Sequence, residues 1–336
     1  MGIRLSLFFF FLVQISIAQN ITGTVVDHKT GLPIESASIY FDNTTVGTTT
    51  DETGRFSIPY LDEIRSPLII SFLGYEDVII SDYNSGQEFK ITLKEAFDKL
   101  DEVVINYDDG LTRKQKLRLF KKEFLGESQF GESCKILNED DIILRYDAEK
   151  KVLYASVKRP LEIENNKLQY LVKYDLVEFE LSFRYVNPNK NIFNTRSMYY
   201  TGTTFYKDLG NLKKRTIKLR KKVYTGSVHH FMRSLYYNTL SEEKYQIFYK
   251  KRKIDKLEEA FEISDVEGAE WKKVKLLKNI VTILFDNKLQ SNMEVKSDYF
   301  YIDKYGNHSP IPKVFFGGDM ASLRLGDALP LDYKPE

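Results

Sequence analysis

One cysteine in 336 residues excludes an intramolecular disulfide framework and any metal site built on paired thiolates. Histidine is nearly as scarce, limited to His28, His229, His230 and His308. None has a glutamate three residues on, and no H-E-x-x-H occurs, so the common zinc-hydrolase signatures fail. The G-x-S-x-G elbow of serine hydrolases is missing too, because Gly126-Glu127-Ser128-Gln129 runs into Phe130 where the second glycine belongs. No P-loop and no G-x-G-x-x-G is present to cradle phosphates. Charge of one sign is also lacking. The 49 Lys and Arg face 48 Asp and Glu, which gives no overall field for nucleic acid or an anionic membrane. Beyond Ser81 no apolar run approaches the ~20 residues of a spanning helix.

Strand-forming aromatics are abundant instead. The chain has 22 Tyr and 23 Phe, and its 42% hydrophobic content is enough for a packed core. The length suggests about two domains. Residues 1–19 have the layout of a secretory signal peptide: Arg4, an apolar stretch from Leu5 to Ile17, and Ser16-Ile17-Ala18 as a small-x-small cleavage pattern. Cleavage is expected after Ala18 or Gln19, and no cysteine follows to carry a lipid anchor. Removing Arg4 leaves 48 basic against 48 acidic residues. Cys134 is expected as a small buried hydrophobe.

From Asn20 onward, short strand-like runs alternate with turn residues. Ile21–Val26 leads into the turn Asp27–Gly31, and Ala37, Ile39 and Phe41 share one face of the next strand. Asp51–Gly54 turns into Arg55–Ile58, Leu68–Leu73 reads as a strand buried on both faces, and Val78–Ile80 and Phe89–Leu93 complete the set. About seven short strands without helical period predict an antiparallel β-sandwich. Asp27 and Asp51 read as backbone caps of their turns, not calcium ligands.

The runs GTVVDHKTGLPIESASIYF, VGTTTDETGRFSI and LIISFLGYED resemble the carboxypeptidase regulatory-like domain, a transthyretin-like Greek-key β-sandwich. The matching positions are Gly23, Asp27, Gly31, Pro33, Ile34, Ala37, Gly47, Thr48, Asp51, Gly54, Phe56, Phe72, Gly74 and Tyr75. The resemblance implies a non-catalytic folding or interaction module over residues 20–105, standing first in an exported protein of a Gram-negative bacterium. Leu100–Ile105, LDEVVI, is similar to the junction that precedes the plug of TonB-dependent receptors.

Residues 106–336 are expected to form an α+β region, giving a mainly β protein with some α. Asn106–Gly110 reads as a linker. A helix is predicted from Thr112 to Leu125, with Leu117, Phe120 and Phe124 on its apolar face. Ile142–Tyr146 and Val152–Val157 read as a hairpin. In Leu168–Tyr185 the apolar phase runs on even positions to Leu176 and on odd ones from Phe179, so a bulge or break is expected near Val177. Leu212–Leu240 reads as helical with a break at Gly226-Ser227, and Lys213, Lys214, Arg215, Lys218, Arg220, Lys221 and Lys222 as a solvated basic face. Strands are expected at Tyr245–Tyr249, Val274–Phe285 and Glu294–Ile302, with a turn at Tyr305-Gly306-Asn307.

The strings FLGES, CKILNEDDI, LEIENNKLQYLVKYDLVEF, YTGSVHHFMRSL and GDALPLDY resemble the C-terminal half of exported proteins that carry the same first domain. That half brings no assigned chemistry. Ser128, Cys134, Asn165, Tyr224, Ser227, His230, Arg233 and Asp327 lie within these strings and are the residues to inspect, although none is assigned a catalytic, cofactor-binding or metal-binding role. The adjacent His229 and His230 should point to different sides of their element.

The expected function is that of a non-enzymatic exported cell-envelope protein, periplasmic or associated with the outer membrane. Alternatives are an outer-membrane or TonB-receptor-associated component of nutrient or glycan uptake, a glycan-binding protein with Trp271 as the strongest stacking platform, and a hydrolase centred on His230. A small barrel of about eight strands fits the length of the second region, and a 22-stranded one does not. Expected partners are envelope proteins or glycans, with peripheral membrane contact through the basic helix and no nucleic acid.

Overall fold

Period-two burial builds the first region. The structure is a computed structural model that describes residues 20–60, 66–96, 109–210 and 212–335. The signal-peptide layout, the Leu100–Ile105 junction and residues 106–108 of the linker lie outside the described residues. Seven strands form: β1 (Asn20–Asp27), β2 (Ser38–Phe41), β3 (Gly47–Thr49), β4 (Arg55–Pro59), β5 (Leu68–Ser71), β6 (Val78–Ile80) and β7 (Glu88–Leu93). They lie in two sheets, ordered β4-β1-β7 and β3-β2-β5-β6. Ile21, Val25, Ile39, Phe41, Ile58, Ile70 and Leu93 are fully buried between them.

One pair departs from the expected antiparallel sandwich. β1 and β7 run parallel, with Val25 opposite Ile91. The chain crosses to the other sheet through β5 and β6 before it returns to the free side of β1, so no hairpin forces the pair antiparallel. Glycine also has two uses here. Gly54 takes φ +73° in its turn, whereas Gly47 lies in a strand where a Cβ would sit 2.7 Å from the Phe205 ring.

The second region opens with α1 (Arg113–Leu125), capped by Thr112. Its hydroxyl accepts from the Gln115 amide while the Gln115 side chain accepts from the Thr112 amide. Then follow β8 (Cys134–Ile136), β9 (Ile142–Asp147), β10 (Val152–Val157), β11 (Leu161–Asn165), β12 (Tyr170–Asn187) and β13 (Ile192–Asp208). These six strands make one antiparallel sheet, against which α1 packs Phe120 and Phe124; the Phe120 and Phe179 rings are 4.8 Å apart. The phase slip near Val177 is a bulge within a single strand, since the register shifts between Leu176 and Glu178 and leaves Val177 73% exposed.

The predicted helical break is present. α2 (Lys214–Tyr224) ends before Gly226, at φ +83°, and Ser227 caps α3 (Val228–Tyr236) through a 3.1 Å bond from the His230 amide. A second core joins Phe231, Met232 and Leu235 of α3 to two further sheets. One is formed by β14 (Tyr245–Tyr249), β15 (Arg252–Ile254), β18 (Ile280–Phe285), β19 (Leu289–Val295) and β22 (Val314–Gly318). The other contains β16 (Phe261–Asp265), β17 (Lys272–Leu276), β20 (Phe300–Ile302) and β21 (His308–Ser309). None of the sheets closes into a barrel among the described residues.

Two expected strands are therefore split. Val274–Phe285 divides into β17 and β18 in different sheets, and burial switches from even Val274 to odd Val281, Ile283 and Phe285. Glu294–Ile302 likewise breaks between β19 and β20.

The sandwich is joined to the second region by backbone bonds. Asn43 donates to the Thr204 carbonyl at 2.7 Å, Tyr206 donates to the Thr44 carbonyl at 3.0 Å, and Thr44 and Phe205 form a parallel bridge. Asp42 accepts from the Thr204 amide at 2.6 Å, and the Tyr40 and Thr203 hydroxyls meet at 3.1 Å. The loop after β2 thus extends the edge at β13.

Candidate functional site

Two clusters gather the residues singled out in the sequence, and both grip the segment 324–335. In the first, the Ser128 hydroxyl donates to Asp327 at 2.6 Å and accepts from the Phe130 and Gly131 amides at 3.1 Å. The Asn165 Nδ2 donates to the Gly326 carbonyl at 2.9 Å, while its Oδ1 accepts from the Leu168 amide. Cys134 donates weakly to the Phe130 carbonyl at 3.4 Å; it is partly buried, and burial pushes its thiol up to about 12. A thiol held protonated in this way is a poor nucleophile.

The second cluster centres on α3. Arg233 is buried and donates to three carbonyls: Tyr305 at 2.9 Å, Tyr333 at 2.8 Å and Leu331 at 2.7 Å. The same segment reaches the sandwich, because the Leu331 amide donates to the Asn43 carbonyl at 2.7 Å and Asp332 accepts from the Thr45 amide at 3.0 Å. Residues 324–335 therefore touch the sandwich, the six-stranded sheet and α3.

His229 and His230 do face different surroundings. The His230 Nδ1 accepts from the Gly226 amide at 3.1 Å and from the Tyr245 hydroxyl at 3.0 Å. Its proton is thereby placed on Nε2, which faces Glu243 at 3.1 Å. Burial lowers the pKa of His230 against the opposing pull of Glu243. The hydroxyl–imidazole–carboxylate series has the composition of a proton relay, but the hydroxyl belongs to Tyr245, only 4% exposed and driven upward in pKa by burial. His229 lines a different cavity of about 430 Å³. Its buried Nε2 has no hydrogen-bond partner, and burial, then Arg233, lowers its pKa to about 3. Among the described residues no group of three or more His, Cys, Asp or Glu is placed to hold a metal ion.

Asp27 and Asp51 cap their own turns. Asp27 accepts from the Lys29 and Thr30 amides and the Tyr75 hydroxyl, and Asp51 from the Thr53 and Arg55 amides. Trp271 is partly buried, edge-on to Tyr301.

Arg220 departs from the expected solvated face. Its guanidinium lies 3.7 Å from the centre of the Tyr170 ring, donates to the Leu168 and Gln169 carbonyls, and pairs with Asp208 at 2.9 Å. Its spacing carried the signal: Thr216, Arg220, Val223 and Tyr224 fall on one helical face and all are buried.

Residues 21–105 match the family described as CarboxypepD_reg-like domain, a regulatory-like β-sandwich and not a catalytic one. No curated protein matches the chain. Two solved structures of a type II cohesin–X-dockerin complex from Acetivibrio cellulolyticus, an N-terminal and a C-terminal interface mutant, are similar to 23% and 22% of the chain at 17% and 18% identity. Their TM-scores are 0.20 and 0.19, and the matches span 58% and 51% of those chains. A protein of unknown function from Bacteroides fragilis NCTC 9343, described as membrane-associated, aligns over 84% of this chain and 92% of its own at 10% identity, with a TM-score of 0.17.

Proposed function

We propose that this is an exported cell-envelope protein that acts by binding and not by catalysis, with the sandwich as its interaction or folding module. The observation that carries this reading is the use made of its chemically capable side chains. Ser128, Asn165 and Arg233 are engaged in fixing the segment 324–335, and His230 is closed in by Gly226, Tyr245 and Glu243. The exposed Lys213, Lys214, Arg215, Lys218, Lys221 and Lys222 supply a basic face suited to an acidic envelope surface.

Cell fractionation followed by carbonate extraction tests the reading. The protein is expected in the envelope or periplasmic fraction, shortened by about 19 residues, the length of the signal-peptide layout, and released by carbonate. Recovery in the cytoplasm, or retention in the membrane after carbonate, would contradict it. A hydrolytic activity of the purified protein that disappears in His230→Ala would contradict the non-catalytic part.

A further inference from the structure

The 430 Å³ cavity lies where β12, β13, the end of α2, the start of α3 and residues 320–329 meet, with Asn43 of the sandwich in its wall. Its size is within the range of small-molecule sites, roughly 300–1,000 Å³. Three tyrosines line it. Tyr174 and Tyr206 are 4% and 2% exposed, and Tyr200 is half-buried. Their rings are held by packing, Tyr174 against Tyr200 at 6.2 Å and Phe124 against both. Their hydroxyls make no hydrogen bond to any described residue. None of the three oxygens is sealed from solvent, so together they offer donors and acceptors to a molecule that enters the cavity. His229 lines the same space, and Ser227 adds a hydroxyl.

We propose that this cavity binds a small neutral hydroxyl-rich molecule, a cyclic polyol or a sugar of one or two rings. Neutrality follows from the two charged residues in the wall, Arg324 and Asp327, whose opposite charges leave it without a net charge. Asp327 accepts from Ser128 and the Arg324 amide, and Arg324 donates to the Ala321 and Leu323 carbonyls. An ion would therefore enter without a dedicated counter-charge. An apolar molecule would leave the three phenols unpaired in a drier site, which is the costly arrangement. A polyol offers both donors and acceptors to hydroxyls that can play either part, and its C–H faces suit the aromatic wall. Thr201 and the exposed Leu323 form the rim through which it would enter. This goes beyond the envelope reading, which stands or falls on fractionation alone.

Calorimetric titration of the chain from residue 20 onward tests the proposal, using glucose, galactose, mannose, myo-inositol, maltose and lactose. Glucose 6-phosphate and toluene serve as the charged and apolar probes. At least one neutral probe is expected to bind more tightly than about 1 mM. Tyr200→Phe and Tyr206→Phe keep ring and volume, so each should retain its circular dichroism spectrum and an equal or higher melting midpoint. Each should also weaken that binding by about tenfold through loss of one hydroxyl partner. The proposal is overturned if no neutral probe binds, if glucose 6-phosphate or toluene binds more tightly than all of them, or if both Phe variants bind as the parent does. Lower midpoints in both variants without sugar binding would overturn it too, by showing hydroxyls that serve the fold through water.

Discussion

The sandwich and the second region both tie down backbone with polar side chains, but over very different sequence distances. Asp51 bonds amides two and four residues away, and Asp27 bonds those two and three away. Arg233 instead reaches carbonyls 72, 98 and 100 residues away, and Ser128 reaches Asp327 across 199. A short-range cap folds its own turn, whereas a long-range clasp holds separately built units together. The sandwich is thus specified piece by piece, and the second region depends on one strap, residues 324–335.

That contrast predicts its largest effect at Arg233. Arg233→Met leaves three carbonyls without their donor and should cost about 3–5 kcal/mol, measured by urea unfolding followed by circular dichroism. Arg233→Lys should recover only part of this, since an ammonium cannot span three carbonyls as the planar fork does. A loss below about 1 kcal/mol, the size of an ordinary surface pair, would place the strap's anchor elsewhere. Ser128→Ala removes the bond to Asp327 together with those from the Phe130 and Gly131 amides and should cost about 1–2 kcal/mol in the same assay.

Acid should separate local turn and seam by sign. Hydrogen bonds from Thr30, first its amide and then its hydroxyl, lower the Asp27 carboxyl to about 2. Its contribution is present above pH 4 and is lost as pH falls towards 2. Asp42, at the seam with β13, is raised to about 6 by burial, and burial followed by a hydrogen bond with Asp77 raises Asp175. A raised carboxyl favours the folded state at low pH and loses that contribution as pH rises from about 4 through about 6. Melting midpoints of Asp42→Asn should therefore decline less than the parent's between pH 4 and 7, with the remaining decline carried by Asp175. Those of Asp27→Asn should change less than the parent's below pH 4. The smallest effect is expected at the exposed bulge, where Val177→Ser should shift stability by no more than about 0.5 kcal/mol.

The same distinction separates what is legible in the sequence from what is not. The helix start at Thr112, the Gly226-Ser227 break and the slip at Val177 each depend on neighbours within a few residues. The parallel β1–β7 pair was not legible, because strand direction depends on a crossover of some 60 residues, in the manner that parallel pairs require long connections. Arg220 was half legible: its helical spacing showed a shared face, but six exposed basic neighbours masked the one that turns inward. Ser128, Asn165, Arg233 and Asp327, picked out by the strings that contain them, all hold or lie within the segment 324–335. Their common task was hidden, since the carbonyls they hold leave no mark in residue identity.

Deleting residues 331–335 and recording calorimetric unfolding tests the strap most directly. The parent should unfold in one cooperative transition. The shortened chain should show at least two, the sandwich melting apart from the second region once the Leu331–Asn43 and Asp332–Thr45 bonds and the Arg233 bonds to Leu331 and Tyr333 are gone. A single transition with the parent's midpoint would show that the backbone seam at Asn43–Phe205 holds the units together without the strap.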